Sequence, residues 1–277
     1  MSQADPDPLV HAPAGDDGWK WLYYTGGAAA LIAVLFFRRN FGVELITFGG
    51  FGIFEVPAEF PHGALAWFAL FQENTLLGLT LFHLIDLVNY ALVGLIILAL
   101  FVALHRASKS AMVIATAAGL IGIAVYFASN QAFAMLSLSS KYAAAATETQ
   151  RSTYVAAGEA LLAMNDPATI HQGTGVHTGL FLVLASGLII SIVMLRSRAF
   201  FTLTAWSGIL ANGLALGHFV ALALGLSPIL VGIPIIVSAP FRMIWYLLTA
   251  IGLLRLARAV PDEADGGFSP RLRSSAG

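Results

Sequence analysis

The chain has no cysteine among its 277 residues. That excludes disulfides, thiolate catalysis, iron-sulfur clusters and cysteine-ligated zinc together. Charge is scarce too: Asp, Glu, Lys and Arg make up 10%, where a soluble globular chain carries roughly a quarter. So little polar surface cannot wrap a water-facing domain of this length. The 14 basic residues are scattered and the formal net charge is -1, so the chain carries neither a nucleic-acid footprint nor an acidic interaction tail. Nucleic acid is excluded as a partner. Several signatures are missing as well: a P-loop, a dinucleotide fingerprint after a strand, His-Glu-x-x-His and Gly-x-Ser-x-Gly. His171 and His177 are six apart, not the three or four that would set two metal ligands on one helical face. No lysine lies deep enough in an apolar run to hold retinal as a Schiff base.

Apolar residues dominate instead, at 58%. A helix needs about 20 of them in succession to cross the ~30 Å hydrocarbon layer. Six stretches qualify: Trp19 to Phe37, Thr75 to Leu104, Ala111 to Leu138, Gly173 to Leu195, Phe200 to Leu226 and Pro234 to Leu254. The expected fold is therefore all-α, a polytopic transmembrane helix bundle of about six spans, forming one domain over residues 19–258. Residues 1–18, with four aspartates and three prolines, lack the basic start of a signal peptide. They read as a disordered acidic tail, and residues 259–277 read as a second disordered tail.

Two connections are long. Residues 38–74 mix Phe48, Phe51, Phe54, Phe60, Trp67, Phe68 and Phe71 with Glu44, Glu55, Glu59 and Glu73. Too charged to span and too apolar to be a free linker, the segment is expected to form a lid on the bundle or to lie in the interface. The other connection contains an amphipathic outer helix over residues 140–164, capped by Ser139 or Ser140 and ended by Asp166-Pro167. Val155, Leu161 and Leu162 are expected to face inward, with Glu148 and Arg151 facing water. Basic residues collect on cytoplasmic loops. With both termini cytoplasmic, the inner face receives Arg106, Lys109, Arg196, Arg198, Arg255 and Arg258. Arg38-Arg39 is discordant, and an extra short crossing at Phe41 to Phe54 gives seven spans as the alternative. The expected location is the cell membrane, with membrane lipid as a partner.

The run LALFVALHRASKSAMVIATAAGLIGIAVYFASNQAFAMLSLSSKYAAAATETQRSTYVAAGEALLAM from Leu98 onward resembles an uncharacterised family of bacterial and archaeal multi-pass membrane proteins, a domain-of-unknown-function (DUF) family. FHLIDLVNYALVGL (Phe82 to Leu95) and GLIISIVMLRSRAFFTLTAWSGILANGL (Gly187 to Leu214) carry the same resemblance. It implies a multi-pass membrane fold and brings no catalytic signature with it.

Polar side chains at membrane depth cost roughly 2.5–3.5 kcal/mol each on insertion scales, so their placement is informative. At ~1.5 Å per residue from the outer ends, His83, Asp86, Asn130, Gln131, His177, His218 and Arg242 all fall roughly 6–16 Å deep, with Asn89 and Asn212 deeper. His83, Asp86, Asn89 and Tyr90 follow helical spacings of three and four, which places them on one face. The candidates for a binding cavity are thus His83, Asp86, Asn89, Tyr90, Asn130, Gln131, His177, His218 and Arg242. Set against this, membrane Asn and Gln usually serve as interhelical glue, and Asp86 and Arg242 are the hardest to explain as packing alone.

Three functions fit. One is binding or transport of a small solute, ion or proton through a polar cavity in the outer half of the membrane. Another is intramembrane metal-dependent or acid-base catalysis on a lipid or isoprenoid, with His83, Asp86 and His218 as the metal candidates. The third is a structural or assembly role. No cofactor is selected by the sequence, and the ligand is expected to be a small molecule, a lipid or a proton.

Overall fold

The computed structural model describes residues 19–37, 61–167 and 173–260. The expected tail at 1–18, nearly all of the tail at 259–277, and the first part of the expected lid, 38–60, lie outside the described residues. Every regular element among the described residues is a helix. In chain order they are α1 (Lys20–Phe37), α2 (Gly63–Glu73), α3 (Thr75–Leu81), α4 (Leu84–Leu104), α5 (Lys109–Ser129), α6 (Ala132–Ala143), α7 (Glu148–Met164), α8 (Thr174–Arg196), α9 (Thr202–Ala223) and α10 (Pro228–Ala259). Five helical runs are long and apolar enough to cross a membrane: α4, α5 continuing into α6, α8, α9 and α10.

The long helices form one bundle. α5 packs on α8, α9 on both α8 and α10, and α1 lies against α4 and α10. Ile96, Leu100, Leu104, Met112, Ile190, Met194 and Leu253 fill its core. Ile114, Ile121, Val220 and Ile229 point outward, exposed, as an apolar solvent requires. Glycines set the closest crossing. A Cβ on Gly122 would stand 2.8 Å from the carbonyl oxygen of Gly179, and a Cβ on Gly179 would stand 2.7 Å from that of Gly122. α5 and α8 therefore meet backbone to backbone, the small-residue packing that brings apolar helices together without a hydrophobic driving force.

A second core lies beside the bundle, built by α2, α3, α6 and α7 around Trp67, Phe68, Phe71, Phe82, Met135 and Leu162. These four short helices make a cap. Its entry is fixed by Glu159, whose Oε1 accepts from the Ala64 N–H at 2.7 Å where Gly63 turns the chain with φ 77°. A carboxylate at a helix N-terminus also opposes the positive end of the dipole. Ser139 Oγ donates to Phe68 O at 3.0 Å and ties α6 to α2.

Several boundaries differ from those read off the sequence, each for a local reason. The end of the expected lid is helix α2, buried in the cap by its aromatic face. The apolar run from Thr75 to Leu104 is two helices, because His83 adopts the left-handed conformation with φ 70° and stops α3 from running into α4. The run from Ala111 to Leu138 breaks likewise at Asn130 and Gln131. Its 35 residues from Lys109 to Ala143 measure about 52 Å as helix, well beyond a ~30 Å layer, so the part after the break belongs to the cap. The helix expected over 140–164 is divided too. Ser140 lies in the last turn of α6, which ends at Ala143, and α7 starts at a capping box in which Thr147 accepts from the Gln150 N–H and Gln150 Oε1 from the Thr147 N–H. On α7 Leu162 is buried, Val155 and Leu161 are half-buried, and Glu148 and Arg151 are exposed. The last helix extends past both expected ends, from Pro228 to Ala259, and carries Pro234 and Pro240 inside it.

Candidate functional site

The two chain breaks meet. Asn130 Nδ2 donates to the carbonyl of His83 at 3.1 Å, and Asn130 Oδ1 accepts from Ala132 N at 3.0 Å. One side chain thus satisfies the backbone at both interruptions, where helical pairing is lost. His83 is the only non-glycine residue with positive φ among the described residues. Strain of this kind persists only where surrounding contacts hold it, and here the asparagine latch does so.

The latch sets the imidazole over the first turn of α4. Nδ1 of His83 lies 2.8 Å from Asp86 Oδ2, and the Tyr126 hydroxyl on α5 donates to the same oxygen at 3.2 Å. Asp86 sits in the first turn of α4, where the helix dipole favours a carboxylate. When the ring is neutral and Asp86 ionised, the hydrogen is on Nδ1 and Nε2 presents its lone pair. Tyr90, one turn further along, stacks on Tyr126 with ring centroids 4.1 Å apart.

These groups line one side of a cavity of about 470 Å³. Asp86, Asn89, Tyr90 and Val93 come from α4, with His83 at its start, and Tyr126 comes from α5. Val176, His177, Leu180, Val183 and Leu184 of α8 form a second wall. His218 of α9 and Ser238, Ala239, Arg242 and Tyr246 of α10 form the third. His218 Nδ1 donates to Val231 O at 3.0 Å, and its ring centroid is 5.7 Å from that of His177. Arg242 Nη2 donates to Ala211 O at 3.2 Å, and its guanidinium also hydrogen-bonds Tyr246.

Of the nine residues expected at a cavity, His83, Asp86, Asn89, Tyr90, His177, His218 and Arg242 line this one. Asn130 and Gln131 do not. Asn130 is spent on the two backbone breaks, and Gln131 Oε1 is buried without a hydrogen-bond partner. Asn212 is also turned away from the cavity wall, donating to Gly208 O within α9 at 2.8 Å. Tyr126, Tyr246 and Ser238 line the cavity and were not singled out by the sequence. A tyrosine inside an apolar helix reads as belt or core, although its buried hydroxyl does need a partner. Among the described residues no three His, Asp or Glu side chains form a group that could hold a metal ion, so His83, Asp86 and His218 do not assemble as a metal centre.

His83 Nε2 and Asn89 Oδ1 are buried with no hydrogen-bond partner. Compared with known proteins, the chain matches no family model, no curated protein and no solved structure.

Proposed function

We propose that the chain is an integral protein of the cell membrane with six spans, both termini cytoplasmic, and that it binds or transports a small solute through the cavity between α4, α8 and α10. The observation that carries the binding reading is the cavity of about 470 Å³ onto which His83, Asp86, His177, His218 and Arg242 converge from four helices, a volume within the roughly 300–1,000 Å³ of small-molecule pockets. The five apolar helical runs and the packing of α1 against α4 and α10 support the six-span reading. Of the other readings, metal-dependent catalysis loses support because no three-ligand group forms among the described residues. The His83–Asp86 pair favours acid-base chemistry as a second reading, since a carboxylate-oriented imidazole is a general base by construction.

The absence of native cysteine makes the test direct. Single cysteines at residues 180, 183 and 239 should react with a water-soluble thiol reagent, while cysteines at the outward-facing residues 114 and 220 should stay inert in lipid. Unreactive cavity positions would refute access by a solute. Cysteines at residues 8, 108 and 150 test the topology: six spans require 8 and 108 to label from one side and 150 from the other.

A further inference from the structure

This inference rests on the cavity reading above and names the class of solute. We infer that the cavity takes a small organic zwitterion, its cationic end toward Asp86 on α4 and its anionic end toward Arg242 on α10.

The charges on the walls carry the argument. Among the described residues that line the cavity there is one carboxylic acid, Asp86, and one arginine, Arg242. They stand on different helices, and both act electrostatically on the same Tyr90 hydroxyl. Two opposite charges are thereby within reach of one small molecule. Neither is sealed off: the side chain of Asp86 is 22% exposed, and Arg242 is half-buried. Their neighbours hold them in place. Asp86 Oδ2 accepts from the Tyr126 hydroxyl and lies beside His83 Nδ1, while Arg242 donates to the Ala211 carbonyl and to Tyr246. A carbonyl and a phenol aim the guanidinium and leave its permanent charge in place.

A singly charged ligand matches only one of these walls. A cation drawn to Asp86 brings a like charge toward Arg242, and an anion drawn to Arg242 does the same toward Asp86. Such like-charge approach is costly where water is thinned out. A zwitterion meets both walls with the opposite sign, and so compensates the dehydration of each. The remainder of the cavity suits an apolar body, because Val93, Leu180, Val183 and Leu184 line it and call for hydrocarbon or ring surface. A volume of about 470 Å³ accommodates a free amino acid or a betaine. Zwitterionic lipid headgroups carry the same pair of charges, and the experiment separates the two sources.

The full chain is studied in dodecyl maltoside, an uncharged detergent, with empty micelles as the blank. The imidazoles of His83, His177 and His218 line the same cavity and would add positive charge on protonation. Binding is therefore measured at pH 8, on the alkaline side of the ordinary imidazole range near ~6.5. Phenylalanine is compared with phenethylamine and 3-phenylpropanoate, the same skeleton without the carboxylate and without the ammonium. In a second set 6-aminohexanoate, with its charges farther apart, is compared with pentylamine and hexanoate. By saturation-transfer NMR at least one zwitterion should bind about tenfold or more better than both of its singly charged counterparts. Asp86→Asn should erase that lead over the anion, and Arg242→Gln the lead over the cation. If either variant does not fold, the ranking in the unaltered chain decides. Phosphatidylcholine added to the micelles names the source: displacement of the bound zwitterion assigns the site to a lipid headgroup, and its retention assigns the site to a free solute. In both sets, a singly charged probe that binds as well as its zwitterion overturns this inference and leaves the cavity reading standing. Failure of all six probes to bind above the blank overturns the cavity reading and this inference with it.

Discussion

Gly179→Ala tests the packing that places the site. Its new Cβ would lie 2.7 Å from Gly122 O, against the 3.4 Å at which ordinary contact begins, so α8 must retreat from α5 by about 0.7 Å. The obstacle is backbone, and no flexible side chain can turn aside. Overpacking of this kind costs about 1–3 kcal/mol, and the better helix propensity of alanine returns about 0.8–1 kcal/mol. Because the contact is with backbone, the upper part of the first range applies, leaving a net loss of about 1–2 kcal/mol. Thermal unfolding in detergent should therefore show Tm lowered by about 2–8 °C, at roughly 2–4 °C per kcal/mol for a chain of this size. Gly122→Ala should behave alike, with 2.8 Å to Gly179 O. The double substitution should fall short of the sum by about 0.5 kcal/mol or more, since one separation of the helices relieves both contacts. Gly232 is the control. Nothing lies within 4 Å of a Cβ built there, so Gly232→Ala should be neutral or stabilising by up to about 1 kcal/mol. A Gly179→Ala protein that melts with or above Gly232→Ala would refute the backbone-to-backbone crossing. Tyr126 Cβ stands 3.0 Å from the same built Cβ, so the substitution should also disturb the hydroxyl that supports Asp86.

Asn130→Ala removes hydrogen bonds to both chain breaks and should lower stability by about 1–3 kcal/mol, with the loss read from thermal unfolding. The losses of Asp86→Asn and Arg242→Gln made singly are expected to sum to more than the loss of the double substitution, because the two opposite charges line one cavity. Strictly additive losses would show that the two charges do not compensate each other. Thr147→Ala should cost about 1 kcal/mol locally and speed hydrogen exchange in the first turn of α7, leaving the bundle helices unchanged.

The long helices could be read from the sequence because the thickness of a bilayer acts as a ruler. α8 starts and ends one residue from its expected bounds, and α9 loses only a few at each end. The breaks at His83 and Asn130 could not be read, since the apolar run continues through both. What interrupts the helix at His83 is a left-handed residue held by a side chain 47 positions away, a tertiary event with no local signature beyond the polar residues themselves. Ionisable groups in apolar runs pointed to His83, Asp86, His218 and Arg242 because burying them must be compensated. Asn130 gave the same signal for a different reason, and only the fold separates a residue that lines the cavity from one that repairs backbone. Tyr126 and Tyr246 stayed hidden because a tyrosine is at home in a core, and where its hydroxyl points depends on the neighbouring helix.

The packing of α1 against α4 and α10 bears on how the protein is made. α1 is synthesised well before α10, and the stretch from Phe37 to Ala259 takes on the order of 10–40 s at roughly 5–20 residues per second. From the completion of α4 until α10 is made, the face of α1 bearing Ala29, Ala30 and Ala33, all buried in the finished bundle, lacks the partner that α10 supplies. The neighbouring face of α4 alone must retain it. Bundle closure therefore waits for α10, and a chain ending before Pro228 should leave Gly27, which packs on Leu254, open to other helices in the bilayer.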